Sequence, residues 1–302
     1  MDDSLQRYQR AARRSSTLQR YAQATEHFET EWGGMLPASS DSVLRYLATY
    51  GEQLSVSTLR TNLAALARWH LEHGFLDPTK SVRVQDTLRG IRALNPRPPK
   101  QAESLALKEL EVCSRRFCEE LSAEQRPIRL RAARDQALIL LGFWRAFRSD
   151  ELCRLQIEHI VLRPGLGLEI FLPSSKNDRN NDGVTIKAPA LKRLCPVAAY
   201  EVWLELSGLK QGPLFRSIDR WGHLGSHQLH PNSLSSLLRT ILSRCDLISD
   251  GYSSHSLRRG FATWANHNHW SSKALMEYVG WRDLKSAMRY IDAEAPFGDL
   301  LR

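Results

Sequence analysis

The chain has 302 residues, enough for about two domains, and its 42 lysines and arginines exceed its 33 aspartates and glutamates by 9. The surplus suits an anionic partner such as nucleic acid, and with 14 basic against 10 acidic residues up to Lys100 and 28 against 23 beyond, it is not confined to a tail. The polar start MDDSLQRYQRAARRSS lacks the apolar stretch of a secretory signal, the apolar run around Ala137 to Trp144 falls far short of the ~20 residues that cross a bilayer, and five scattered cysteines hold no Cys-x-x-Cys pair. The expectation is a soluble protein of a reducing cytoplasm, without a disulfide framework or a zinc ribbon.

In chain order, apolar residues recur with helical period over Leu18 to Trp32, Val43 to Tyr50, Leu59 to His70 and Val82 to Leu94, and no strand-like alternation interrupts them. These predict a small helical bundle. At Asn95-Pro96-Arg97-Pro98-Pro99-Lys100-Gln101, three prolines without apolar spacing predict an extended, semi-rigid stretch. The expected organisation is therefore a helical domain over 1–94, a linker over 95–103 and a second domain over 104–302.

Beyond the linker, a long apolar helix over Asp135 to Trp144 precedes three short strands, Ile157 to Leu162, Leu168 to Pro173 and Val184 to Ala188. Turn signals at Arg163-Pro164-Gly165 and Asn181-Asp182-Gly183 make these a small antiparallel sheet. Helices are expected again over Pro196 to Leu206, Ser233 to Cys245, Ser254 to Ala265, Ser272 to Val279 and Leu284 to Asp292. The fold class is mainly α with one small antiparallel β-sheet.

Candidate chemistry lies in four places. In Ser253 to Trp264, the apolar stripe of Leu257, Phe261, Trp264 and Ala265 leaves His255 and Arg258 outside it, three residues apart at a helix start where serines can cap and free N–H groups favour an anion. Near the C-terminus Gly280 can end one helix and Asp283 cap the next, whose buried stripe is expected to be Leu284, Ala287, Met288 and Ile291. Tyr290 falls about 110° from the centre of that stripe, free to offer its hydroxyl outward. Trp281, between the two helices, carries a single N–H donor.

The third place is Trp144 to Leu152, where Ser149 can cap a new helix with Arg148 just ahead of it, and Glu151 can steady that guanidinium or a neighbouring histidine. The fourth is Lys176, beyond the second strand in a polar hairpin loop. Each pattern alone is commonplace on helices and turns.

Their order is not commonplace. Arg148 with Glu151, then a hairpin lysine, then His255-x-x-Arg258, then Trp281 and Tyr290, with a helical first domain and a proline-rich linker ahead of them, resembles the tyrosine recombinases of the phage integrase family over essentially the whole chain. One departure is Trp281, where many members have a histidine after the glycine; tryptophan changes the donor and leaves the scheme intact.

The resemblance implies a helical core-binding domain followed by an α+β catalytic domain. It implies that Tyr290 attacks a DNA phosphodiester to leave a 3′-phosphotyrosine, that Arg148 and Arg258 stabilise the transition state, that His255 bonds the same phosphate or takes the tyrosine proton, that Trp281 donates its N–H to a phosphate oxygen, and that Lys176, or failing it Lys187 on the next strand, protonates the leaving oxygen. No metal or ATP is needed in that scheme, and no His, Asp or Glu cluster with ligand spacing is present in the sequence; His267-Asn268-His269 reads as an exposed helix end.

The expected partner is a double-stranded DNA recombination site, bound by a homotetramer on two sites, with Arg60, Arg68, Arg89 and Arg92 of the first domain as candidate phosphate contacts. Phe297, Leu300 and Leu301, after Tyr290, would dock either on a neighbouring protomer or on their own domain. The expected role is integration, excision or resolution of a mobile element in the cytoplasm, at the nucleoid. A non-catalytic DNA-binding accessory protein of the same fold and a monomeric type IB-like topoisomerase are the competing readings.

Overall fold

Serine caps begin two of the helices that build the first part of the chain. In the computed structural model, which describes residues 7–8, 15–97, 101–173 and 182–288, the chain divides into two compact units, Met1–Lys100 and Gln101–Arg302.

In the first unit α1 (Ser15–Glu26) runs on into a π-helical turn, His27–Glu31, so the periodic segment ending at Trp32 is not one regular helix. Next, α2 (Ser40–Tyr50) starts where the Ser39 hydroxyl accepts the Ser42 N–H, and α3 (Val56–Glu72) where the Ser55 hydroxyl accepts the Thr58 N–H, each cap answering an orphan donor of the first turn. α4 (Val82–Leu94) follows a turn of 3₁₀ helix. Phe28, Val43, Tyr46, Leu47, Leu59, Leu66 and Val84 are fully enclosed at the centre. His70 is buried with them: its Nδ1 donates to the Leu66 carbonyl at 2.7 Å, which leaves Nε2 to accept the Ala38 N–H at 2.8 Å.

The second unit opens with a helix that the sequence reading gave no element, α5 (Leu107–Leu121). Its buried Leu110, Cys113 and Phe117 are separated by charged residues that dilute the apolar signal. Helix α6 (Arg126–Trp144) extends nine residues upstream of its expected start, and over its second half it is enclosed on all sides, Ala137 to Trp144 included. Such a helix has no polar face to betray its period. Two charges go inside with it: Asp135 accepts from Arg134 at 2.7 Å and from Arg244 at 2.7 Å. An enclosed carboxylate with two guanidiniums on it is neutralised where it stands.

After the short helix α7 (Ser149–Cys153), residues Ile157–His159 form a 3₁₀ turn, so the strand expected from Ile157 starts only at β1 (Ile160–Arg163). β2 (Gly167–Leu172) and β3 (Val184–Pro189) complete an antiparallel sheet in the order β1-β2-β3, with Ile160 opposite Ile170 and Ile170 opposite Ile186. Helix α8 (Pro196–Ser207) ends at Gly208 in the left-handed conformation. A second, two-stranded sheet pairs β4 (Arg216–Ile218) with β5 (Leu224–Gln228), and its short polar strands were not anticipated. Then come α9 (Ser233–Arg244), α10 (His255–His267), α11 (Ser272–Val279) and α12 (Leu284–Met288).

The buried stripe expected on α12 is not there: Ala287 is enclosed, but Leu284 is 51% and Met288 57% exposed. Ile291 lies outside the described residues. Mainly α with a small antiparallel sheet is thus the architecture. Among the described residues no helix is long and apolar enough to cross a membrane.

Candidate active site

Four segments of the second unit converge on one cavity of about 630 Å³: the turn after α6 with α7, the facing ends of β2 and β3, the first turn of α10, and the end of α11 with the loop after it. Its walls include Arg148, Glu151, Arg258 and Trp281, four of the side chains singled out by the sequence.

Arg148, not Ser149, is the cap of α7. Its extended backbone offers its own N–H to Glu151 Oε2 at 3.0 Å, and its guanidinium donates to Glu151 Oε1 at 2.7 Å. One carboxylate at the first turn of a helix therefore holds both the main chain and the side chain of a single arginine, in the place where a negative charge is favoured. Ser149 takes another part: its hydroxyl donates to the Ser254 hydroxyl at 2.6 Å, and the Ser254 N–H donates to Ser235 at 3.1 Å. That chain ties the turn bearing Arg148 to the residue before His255.

Arg258, in the first turn of α10, turns its side chain inward. It is only 2% exposed, its guanidinium donating to the Ala146 carbonyl at 2.6 Å and the Val279 carbonyl at 3.1 Å. Both acceptors are orphans of chain geometry: Val279 is the last residue of α11, and Ala146 sits in a left-handed turn (φ 49°) after α6. Unsatisfied carbonyls at a helix C-terminus attract a cation, and the buried guanidinium answers them. The same guanidinium lies 5.1 Å from the centre of the Trp281 ring. Trp281 is fixed in turn by its backbone N–H on the Met276 carbonyl at 2.9 Å, the wrap that follows a left-handed Gly280, and this bond does not use the indole N–H. His255 is exposed at the start of α10.

The sequence reading missed Arg145, which lines the same cavity. Only 7% exposed, it donates to the Tyr278 carbonyl at 3.1 Å and lies 3.9 Å from the Tyr278 ring centre. Two arginines three apart across a helix break, Arg145 and Arg148, were the available signal. Lys176 and Tyr290 fall outside the described residues, as do Phe297, Leu300 and Leu301. Lys187 is on β3, its side chain 79% exposed and 3.8 Å from Glu169. In the first unit Arg60 and Arg92 are exposed, Arg68 pairs with Glu72 at 2.6 Å, and Arg89 pairs with Asp86. Among the described residues there is no cluster of three or more His, Cys, Asp and Glu side chains able to hold a metal ion, and His267 and His269 are exposed.

Comparisons with known proteins bear on the family and the fold. Residues 117–295 match the model of the phage integrase family. An integrase/recombinase of Selenomonas ruminantium described as a xerD homolog is 29% identical over 269 residues, spanning 87% of this chain and 76% of its own. Among solved structures, a lambda integrase dimer bound to a COC′ core site superposes with a TM-score of 0.63 at 16% identity, covering 98% of this chain and 96% of its own. The XerH site-specific recombinase bound to its palindromic difH substrate superposes at 0.62 with 19% identity, over 90% of this chain and 75% of its own. These structural likenesses concern the fold; the family match covers more than half the sequence, and with it this chain belongs to the phage integrase family, as a tyrosine-type site-specific recombinase.

Proposed function

We propose that the chain cuts and rejoins double-stranded DNA at a recombination site through a 3′-phosphotyrosine intermediate formed by Tyr290, without metal or ATP, in the integration, excision or resolution of a mobile element. The observation that carries this reading is the shared cavity in which Arg148, Glu151, Arg258 and Trp281, from three distant segments, stand together. Binding a backbone phosphate there lets two guanidiniums meet the negative charge that gathers on the non-bridging oxygens as phosphorus becomes pentacoordinate, and both are already aimed, one by a carboxylate and one by two carbonyls.

A phenol titrates near 10, far below an aliphatic alcohol, so the phosphotyrosine stays reactive toward an incoming 5′-hydroxyl and the strand is rejoined without an external energy source. The departing 5′-oxygen needs a proton, assigned to Lys176; Lys187 is the weaker choice because Glu169 already faces it. His255, at the exposed start of α10, takes or returns the tyrosine proton or bonds the phosphate. Trp281 adds its N–H and packs on Arg258.

DNA as partner is supported by the net charge and by the neighbours solved on their DNA sites, the Tn1549 transposon integrase on transposon right end DNA among them (TM-score 0.60, 14% identity). In this reading the first unit holds the duplex; of its four candidate arginines Arg68 and Arg89 pair with carboxylates, while Arg60 and Arg92 are exposed and pair with none among the described residues. Two DNA sites are held by four copies of the chain, and the setting is the cytoplasm, at the nucleoid.

The test is a nicked suicide substrate carrying the site. The native chain should form a detergent-resistant adduct on the DNA 3′ end, Tyr290→Phe none, and Arg148→Ala or Arg258→Ala should slow its formation by about 10²–10³-fold. An adduct that survives Tyr290→Phe, or tight site-specific binding with no adduct, would overturn the proposal.

A further inference from the structure

We infer that Arg145 is a positioning residue of the recombinase site: with the Tyr278 ring it latches the turn carrying Arg148 to the end of α11, from which the chain continues through Trp281 toward Tyr290. The inference rests on the proposed function above and adds a residue that neither the sequence pattern nor the resemblance assigns.

The geometry is specific. Helix α6 ends at Trp144, and the next residue folds its side chain away from the helix to reach the last turn of α11, 133 positions further along the chain. There two hydrogen bonds and one stacking contact form a closed loop. The Arg145 guanidinium donates to the Tyr278 carbonyl at 3.1 Å; it stacks 3.9 Å from the Tyr278 ring centre; and the Tyr278 hydroxyl donates back to the Trp144 carbonyl at 2.7 Å. The orphan carbonyls at the end of α11 are thereby shared out between two arginines, Tyr278 O to Arg145 and Val279 O to Arg258. Arg258 closes the same seam from the other side through Ala146 O. The segment 145–148 cannot shift against 278–281 without breaking bonds to both arginines.

A purely structural seam has cheaper solutions. Arg145 is 93% enclosed, as its 7% exposure states, and its Nε finds no acceptor among the described residues. Enclosing a charged group with a donor unmet costs free energy that an apolar pair would not. The residue also lines the cavity itself rather than the core behind it. Charge next to a site that binds phosphate, held in register with Arg148, accounts for both facts. Misplacing a reacting group by about 1 Å slows catalysis by about 10²-fold, so a latch of this kind is worth far more to rate than to stability.

The test separates those two quantities. Single-turnover adduct formation on the nicked substrate, duplex binding and thermal unfolding are measured for Arg145→Met, Arg145→Lys, Tyr278→Leu and the Arg145→Met/Tyr278→Leu pair. Arg145→Met and Tyr278→Leu should each form adduct about 10–100-fold more slowly per folded molecule while binding the duplex within about threefold of the parent. Arg145→Lys should fall between, because an ammonium keeps the contact with the ring but not the planar fork. The pair should be no slower than its slower member, since both changes open one latch. If Arg145→Met does not fold, Arg145→Lys and Tyr278→Leu carry the comparison. Parental adduct rates in the folded variants, with only the unfolding temperature lowered, or rate losses that multiply in the pair, would overturn the inference. A parent chain that forms no Tyr290-dependent adduct would overturn the proposed function instead.

Discussion

Glu151 accepts two hydrogen bonds from one residue, Arg148, taking its backbone N–H at 3.0 Å and its guanidinium at 2.7 Å. Both oxygens are in use, and the carboxylate side chain is 7% exposed against 22% for the arginine. Glu151→Gln keeps the shape but supplies one acceptor and turns an amide N–H₂ toward a donor. It should lower unfolding free energy by about 1–3 kcal/mol in urea titration. Adduct formation per folded molecule should slow as well, less than in Arg148→Ala, because the guanidinium is still present but no longer aimed. Parental stability together with a parental rate in Glu151→Gln would show that the pair holds nothing.

Gly260 and Gly90 are both helical and should respond to alanine with opposite signs. A Cβ at Gly260 in α10 would stand 2.0 Å from the Leu105 carbonyl oxygen and 2.9 Å from Phe143. That carbonyl cannot swing aside cheaply, because its segment is pinned to α10 and the loop before it by Leu105 N on Ser256 O and Glu103 N on Gly251 O. At Gly90 in α4 nothing lies within 4 Å of the new methyl. Gly260→Ala should destabilise by about 3 kcal/mol or more through overpacking against backbone, whereas Gly90→Ala should stabilise by about 0.4–1 kcal/mol by restricting the unfolded chain. Urea unfolding of the two variants beside the parent decides it, and a Gly260→Ala protein as stable as the parent would mean that α10 and the Leu105 segment do not approach this closely.

The elements that could be read from the sequence are those whose causes are local. Ser271 before α11 and Gly280 after it set Ser272–Val279 at both ends, and the reading matched those bounds. For α2 and α3 the apolar period alone put the starts at Val43 and Leu59, three residues beyond those that the Ser39 and Ser55 caps set. What escaped depended on partners far away in the chain. β4 and β5 are short and polar, so their pairing rests on the turn between them and not on an apolar alternation. α5 carries its three buried residues among seven charged ones. At the site, the order Arg148, Glu151, Arg258, Trp281 was legible, but the inward turn of Arg258 was not: its acceptors are main-chain carbonyls of Ala146 and Val279, and a carbonyl leaves no mark in the sequence. Arg145 was hidden for the same reason, since Tyr278 O and the Tyr278 ring draw it in from 133 positions away.

The β4–β5 turn makes a pH prediction with a definite sign. Asp219 accepts the N–H of His223 at 2.9 Å, the His223 ring Nδ1 at 2.8 Å and the N–H of Trp221 at 2.8 Å, and the first of these does most to hold its carboxyl down to about 2. An unfolded aspartate titrates near 3.9. Because the folded value is the lower one, the carboxylate's contribution to the hairpin is fully present above about pH 4 and is lost as the pH falls toward 2. The carboxyl carbon of Asp219, followed by NMR, should titrate near 2, and the His223 amide should exchange faster over the same interval. Asp219→Asn keeps an oxygen for the two backbone donors and removes the charge, so in that variant the exchange of His223 should be flat across pH 4 to 2. An Asp219 midpoint at the ordinary value near 4, or the same acid loss in Asp219→Asn, would mean that the turn is held by its backbone bonds, Asp219 N on His223 O and Gly222 N on Asp219 O, and not by the carboxylate.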